Sequence, residues 1–171
     1  GRLSWRIDVE GAADEEAIRN LNMAAFDGRT EEADLVDGLR AAGDLLLSLV
    51  ARQEGRVVAH VAFSRVTVEA ATGPFGGVAL APVAVAPDLQ GRGLGRDLIE
   101  DGLRRLTQLG ETLVLVVGNP TYYTRFGFSV EAAKAFPCDY SGPYFMALWL
   151  DRAEVDTVGP VLYPEAFELV N

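Results

Sequence analysis

Apolar and polar positions change period along the chain, and each change marks an element. Residues 5–9, Trp5-Arg6-Ile7-Asp8-Val9, alternate as a short strand does. Asp14 stands where it can cap a helix over 15–26, with Ile18, Leu21, Met23 and Phe26 at its apolar positions. Asp27-Gly28-Arg29 breaks that helix. Thr30 is placed to cap a second one, with Glu31 and Glu32 in its first turn and Gly43 after its end; Leu35, Val36 and Leu39 would face a core. Residues 45–52 and 56–69 read as a hairpin turning at Gln53-Glu54-Gly55. Residues 70–77, glycine-rich with Pro74, read as a loop leading into a strand over 78–85. An amphipathic segment then runs to Gly110, with Leu94, Leu98, Ile99, Leu103, Leu106 and Leu109 along one stripe.

Residues 112–117 form a solidly apolar run suited to a strand buried on both faces. Residues 121–125 suggest a short helical turn, 126–130 and 144–150 two more strands, and 160–167 a short strand and turn. The pattern gives an α/β domain with a mixed sheet: one strand, two helices, a run of antiparallel strands, then helix-strand-helix-strand. Without repeats or a dividing linker, residues 1–171 read as one domain, with a core over about 5–150 and a tail over 151–171 packing on it. In such a fold the ligand is received at the C-terminal end of the 83–85 strand.

Composition narrows the function more than the fold. The formal charge is −10 and the sequence pI near 4.5, which argues against a nucleic-acid partner, since a phosphate backbone demands clustered positive charge. The acidity serves solubility or attracts cationic acceptors. No stretch approaches the ~20 apolar residues of a membrane helix, and Gly1-Arg2-Leu3-Ser4-Trp5-Arg6 lacks the apolar run of a secretion signal. The single cysteine, Cys138, fits a reducing compartment, so a cytoplasmic protein is expected.

The segment Gln90-Gly91-Arg92-Gly93-Leu94-Gly95-Arg96 carries the most chemistry. A strand delivers a glycine-rich turn onto a helix start, where the absent Cβ atoms and unpaired N–H groups suit a phosphate. The spacing is neither the dinucleotide fingerprint nor a P-loop. The one lysine, Lys134, lies far away, which excludes a P-loop nucleotide hydrolase. Taken alone, the turn reads equally as a tight connection that binds nothing.

Two segments together resemble the GCN5-related N-acetyltransferase (GNAT) superfamily. One is Val83-Ala84-Val85-Ala86-Pro87-Asp88-Leu89 continuing through the glycine turn to Ile99. The other is Val117-Gly118-Asn119-Pro120-Thr121-Tyr122-Tyr123-Thr124-Arg125-Phe126-Gly127-Phe128, similar to a predicted-acetyltransferase branch in which a strand containing Phe145-Met146 follows. The resemblance spans about residues 5–150. It implies a GNAT-like, largely antiparallel mixed sheet flanked by helices, with splayed central strands. It implies acetyl-CoA as cosubstrate, with no metal. The pyrophosphate would rest on Gln90, Gly91, Arg92, Gly93, Leu94, Gly95 and Arg96, with Asp97, Glu100 and Asp101 partly offsetting the arginines. The pantetheine arm would pair with Val83, Ala84 and Val85 as an added strand, a backbone N–H near Val85 would face the oxyanion, and Asn119 and Tyr123 would complete the contacts.

The resemblance also implies direct attack of an amine, from a small molecule or peptide, on the thioester. It places a general-acid tyrosine at Tyr123, whose pKa near ~10 keeps a proton available at neutral pH. Tyr122 is expected in the core, and Arg125 as a brace for the turn or a partner of an acidic neighbour. His60, the single histidine, reads as a satisfied structural residue or as a base; Glu69, Asp27 and a water chain are the other base candidates. Cys138, followed by Asp139, reads as an idle thiol rather than a nucleophile, and Trp5 and Trp149 as core or rim aromatics. The acceptor would be walled by residues 26–30, the strand around Ser64 and residues 138–144. A non-catalytic acyl-CoA sensor is the alternative, and a homodimer is possible.

Overall fold

A computed structural model describes residues 4–151 and 157–170, so the expectations for the first three residues and part of the tail lie outside the described residues. The elements are β1 (Arg6–Val9), α1 (Glu15–Ala25), α2 (Glu31–Ala42), β2 (Leu45–Gln53), β3 (Arg56–Ala70), β4 (Gly73–Val85), α3 (Leu94–Gln108), β5 (Leu113–Val117), α4 (Pro120–Tyr123), α5 (Val130–Ala133), β6 (Phe145–Trp149) and β7 (Val161–Leu162). Seven strands form one mixed, largely antiparallel sheet in the order β1-β2-β3-β4-β5-β6, with β7 on β3. β4 and β5 are the parallel pair. Their register runs from Val78↔Val114 to Leu80↔Val116, while β4 itself continues through Pro82, which has no N–H to give a ladder, to Val85.

The chain forms two compact units. The first holds the residues up to Phe63, Pro82–Gly102 and those from Glu165 on; the second holds Ser64–Ala81 and Leu103–Pro164. In the first unit, Ile18 of α1 and Val36 of α2 pack on Val50 and Ala62 of the sheet. Successive strand residues face opposite ways, so Phe63 points to the other face, where Gly102 of α3 lies against its ring. Helices therefore cover both faces. Glu54 (φ 52°) and Gly55 (φ 77°) make the two-residue turn joining β2 to β3, the left-handed pair that matches strand twist. In the second unit, β6 runs antiparallel to β5 from Leu113↔Trp149 to Val117↔Phe145, and Leu113, Val114, Leu115 and Val116 are all buried.

Several expectations are corrected. Asp14 does not cap α1 with its side chain. Its Oδ2 instead accepts from the Gly11 N–H at 2.7 Å, and its carboxylate takes two hydrogen bonds from Arg52, at 2.7 and 2.8 Å. Thr30 likewise makes no side-chain cap, whereas Gly43 closes α2 in the left-handed conformation at φ 77°. Residues 73–77, expected as loop, are the first part of β4. Gly76 and Gly77 serve close packing: Arg65 crosses over Gly76 to reach the Gly77 carbonyl at 3.0 Å and Glu111 at 2.7 and 2.8 Å. A Cβ on Gly76 would sit 2.6 Å from the Arg65 Nη1. Leu109 lies beyond the end of α3 and is exposed.

The strand expected over 126–130 does not form. A 3₁₀ turn, Thr124–Phe126, ends at Gly127 (φ 97°), and Ser129 then caps α5 by accepting from the Ala132 N–H at 3.0 Å. Only Ser129 bridges to the sheet, opposite Ala147.

Candidate active site

In the first unit, β4 ends at Val85, and Pro87–Leu89 form one 3₁₀ turn before the glycine segment. The Gln90 Nε2 donates back to the Val85 carbonyl at 3.3 Å, stapling the turn to the strand end. Ala86 N–H donates to the Val58 carbonyl of β3 at 2.8 Å, which anchors the same corner. Gly91 (φ 79°) and Gly93 (φ 89°) occupy the left-handed region, where a side chain would cost about 1–2 kcal/mol. A Cβ on Gly91 would meet nothing within 4 Å, so that glycine leaves open space.

The first bond of α3 runs from the Asp97 N–H to the Gly93 carbonyl at 3.0 Å. The N–H groups of Leu94, Gly95 and Arg96 precede it, at positions an α-helix leaves without an internal acceptor. With the positive end of the helix dipole, they make a cradle for an anion. The Arg96 guanidinium folds over Gly93, its Nη2 3.1 Å from where a Cβ would stand. The acidic neighbours are engaged: Asp97 accepts from the Trp5 indole N–H at 3.0 Å, and Asp88 pairs with Arg56 at 3.3 Å. Trp5 is thus a brace for the helix start.

The second unit carries the tyrosine turn. Asn119 caps α4 through its Oδ1, which accepts from the Thr121 N–H at 3.0 Å, and its carbonyl accepts from the N–H groups of Tyr122 and Tyr123. The Tyr123 ring meets Tyr122 edge-on at 5.0 Å and lies 5.9 Å from Phe128 and 6.3 Å from Phe126. Burial, with a smaller contribution from Tyr122, pushes the Tyr123 hydroxyl up to about 12, so it keeps its proton at any physiological pH. Tyr122 is half-buried rather than core, and the Arg125 guanidinium stands 6.0 Å from its ring centre.

His60 is completely buried. Its Nδ1 faces the Asn22 amide nitrogen at 3.3 Å and its Nε2 the Ser48 hydroxyl at 2.8 Å. Since Asn22 can only donate there, the proton sits on Nε2 and goes to Ser48. Burial pushes the imidazole down to about 4, so it is neutral at pH 7 and has no route to a substrate. Asp27 (φ 57°) and Glu69 are both exposed. Burial raises the Cys138 thiol, and its backbone N–H donates to the Ser141 Oγ at 3.0 Å, so it is not an activated nucleophile.

Of the expected acceptor walls, residues 26–30 belong to the first unit, and Ser64 and residues 138–144 to the second. Beside the latter a cavity of about 310 Å³ is lined by Val130, Lys134, Pro137, Ser141 and Phe145. Among the described residues, no group of three or more His, Cys, Asp or Glu could hold a metal ion, and no helix is long and apolar enough to cross a membrane.

Residues 8–130 match the family model described as an acetyltransferase (GNAT) domain. The chain is 40% identical over 138 residues to the uncharacterized N-acetyltransferase YjhQ of Escherichia coli K12, covering 79% of this chain and 76% of that protein. It is 39% identical over 137 residues to YhbS of the same strain, covering 80% of each. Among solved structures, E. coli YhbS in complex with CoA superposes with a TM-score of 0.89 at 35% identity, covering 98% of this chain and 94% of that one. A GNAT family acetyltransferase from Brucella melitensis in complex with acetyl-CoA gives 0.80 at 35% identity, covering 97% and 99%.

Proposed function

The chain belongs to the GNAT acetyltransferase family, and from that premise we propose that it transfers an acetyl group from acetyl-CoA to an amine of a small molecule or peptide. The observation that carries the proposal is the junction at the start of α3. Two left-handed glycines open the turn, and the N–H groups of Leu94, Gly95 and Arg96 stand ahead of the first helical bond. A diphosphate fits such a cradle by charge and by hydrogen-bond geometry. The two relatives at 35% identity were crystallised with CoA and acetyl-CoA, which supports the same cosubstrate here.

In the proposed reaction, Gln90, Gly91, Arg92, Gly93, Leu94, Gly95 and Arg96 hold the pyrophosphate, and Asn119 adds a contact. Val83, Ala84 and Val85 receive the pantetheine arm along their main chain. The neutral amine attacks the thioester carbonyl carbon, and the resulting oxyanion accepts a hydrogen bond from the Val85 backbone N–H. The carbon–sulfur bond then breaks. The departing sulfur takes the Tyr123 hydroxyl proton, the proton of the attacking amine leaves to water, and water returns one to the Tyr123 phenolate. Tyr123 carries a proton to give at neutral pH, while burial, by raising its pKa to about 12, makes that donation more costly, so its role as the acid rests on its place in the motif.

The test is to incubate the chain with acetyl-CoA and a panel of primary amines while following free thiol. Amine-dependent thiol release supports the proposal. Tight coenzyme A binding with no transfer to any amine would instead identify a non-catalytic acyl-CoA sensor.

A further inference from the structure

We propose that Gly118 is a positioning residue for the reaction: it is glycine so that the Tyr123 ring can lie directly on its main chain, and this seat fixes where the Tyr123 hydroxyl points. The inference rests on the reading of Tyr123 as the acid. Gly118 follows the last residue of β5, and its N–H donates to the Tyr144 carbonyl at 3.0 Å, so its main chain is tied to the residue preceding β6. The chain from Asn119 to Tyr123 is closed on itself by the Asn119 cap and by the Asn119 carbonyl, which accepts from Tyr123 N–H at 3.0 Å. The Tyr123 ring therefore curls back over the residue that begins its own turn.

A Cβ on Gly118 would stand 2.8 Å from the Tyr123 Cδ2 and closer still to Cε2, nearer than side-chain atoms approach one another. Tyr122, Phe126 and Phe128 stand around the ring, so it cannot slide sideways without moving them. Gly118 cannot draw back without giving up its bond to Tyr144. Its φ lies outside the left-handed region, so alanine meets no backbone strain there. The methyl group acts through the ring alone.

The experiment compares Gly118→Ala, Tyr123→Phe and the double variant on the full chain, each checked for folding by circular dichroism. Acetyl transfer to the best amine of the panel should fall at least tenfold in kcat for Gly118→Ala. KM for acetyl-CoA and coenzyme A affinity by calorimetry should stay within about threefold. The kcat is referred to the calorimetric stoichiometry, which counts folded binding sites, because loss of folded protein alone also lowers apparent kcat at unchanged KM. The double variant should be no slower than Tyr123→Phe, because both act on one group. A Gly118→Ala enzyme that is folded and has wild-type kcat overturns the inference. If Tyr123→Phe keeps full kcat, the acid reading fails instead. Independently of any variant, wild-type spectra should show nuclear Overhauser contacts between the Gly118 Hα and Tyr123 ring protons, and their absence removes the seat itself.

Discussion

The glycine turn before α3 and the tyrosine turn after β5 both depend on glycine, for opposite reasons. Gly91 and Gly93 adopt φ of 79° and 89°, and the space beside Gly91 is empty. Their value lies in main-chain conformation and in the room left for something else. Gly118 has an ordinary φ, and the space beside it is filled by the Tyr123 ring. Its value lies in close approach. On the proposed reading, the open space beside Gly91 serves binding, and the filled space beside Gly118 serves placement. Substitutions in the first region should therefore appear in KM and coenzyme A affinity, and those in the second in kcat.

The sharpest break of this contrast is Tyr123→Phe. Removing the donor should lower kcat at least a hundredfold, about 3 kcal/mol, with KM for acetyl-CoA little changed. Steady-state thiol release measures it, and an unchanged kcat would leave the tyrosine turn a packing element.

Next comes acid stability, which belongs to the frame beneath the first region. The His60 pKa is depressed in the folded state, from 6.5 to about 4, so the unfolded chain binds a proton that the folded chain refuses between those values. Its contribution is fully present above pH 6.5 and fades as pH falls toward 4, by up to about 3 kcal/mol. Urea unfolding at pH 7 and pH 4 reads the loss, and His60→Leu should flatten that slope whatever its own stability. A slope as steep in the variant would assign the lability between pH 7 and pH 4 to groups other than His60; Asp14, which Arg52 and the Gly11 N–H hold down at about 2, loses its contribution mostly below pH 4.

Gly102 is a second occupied glycine, with the Phe63 ring on it but no chemistry nearby. Gly102→Ala should cost about 1–3 kcal/mol of stability through overpacking, yet leave kcat of the folded fraction unchanged. That separates seating a core ring from seating the ring proposed to carry the acid. The smallest effect is expected at Gly91→Ala, where no atom is struck and only φ is strained. Coenzyme A affinity by calorimetry should fall about tenfold, with kcat at saturation near wild type.

Much of the fold was legible because hydrophobic period identifies long elements well. α1, α2, β2, β3, α3, β5 and β6 lie where the pattern places them. The misreadings occur where glycine or aromatic residues have a tertiary reason. Gly76 and Gly77 looked like loop, but Arg65 and Val66 of the neighbouring strand lie across them. Phe126 and Phe128 alternate like a strand, yet they wall the Tyr123 ring. Asp14 has the residue type of a cap, but Arg52, distant in sequence, claims its carboxylate. The glycine turn, whose spacing alone reads equally as a tight connection, became a candidate only through its resemblance together with the tyrosine segment. Gly118 was not legible, because nothing in its local sequence distinguishes a glycine pressed by a ring from one in an ordinary connection.

The central claim is that main-chain N–H groups at the start of α3 receive the diphosphate of coenzyme A. Titrating the ¹⁵N-labelled chain with coenzyme A tests it most directly. The account predicts saturable amide shifts that are largest at Gly91, Gly93, Leu94, Gly95 and Arg96. Shifts centred on another segment, or none at about millimolar coenzyme A, would contradict it.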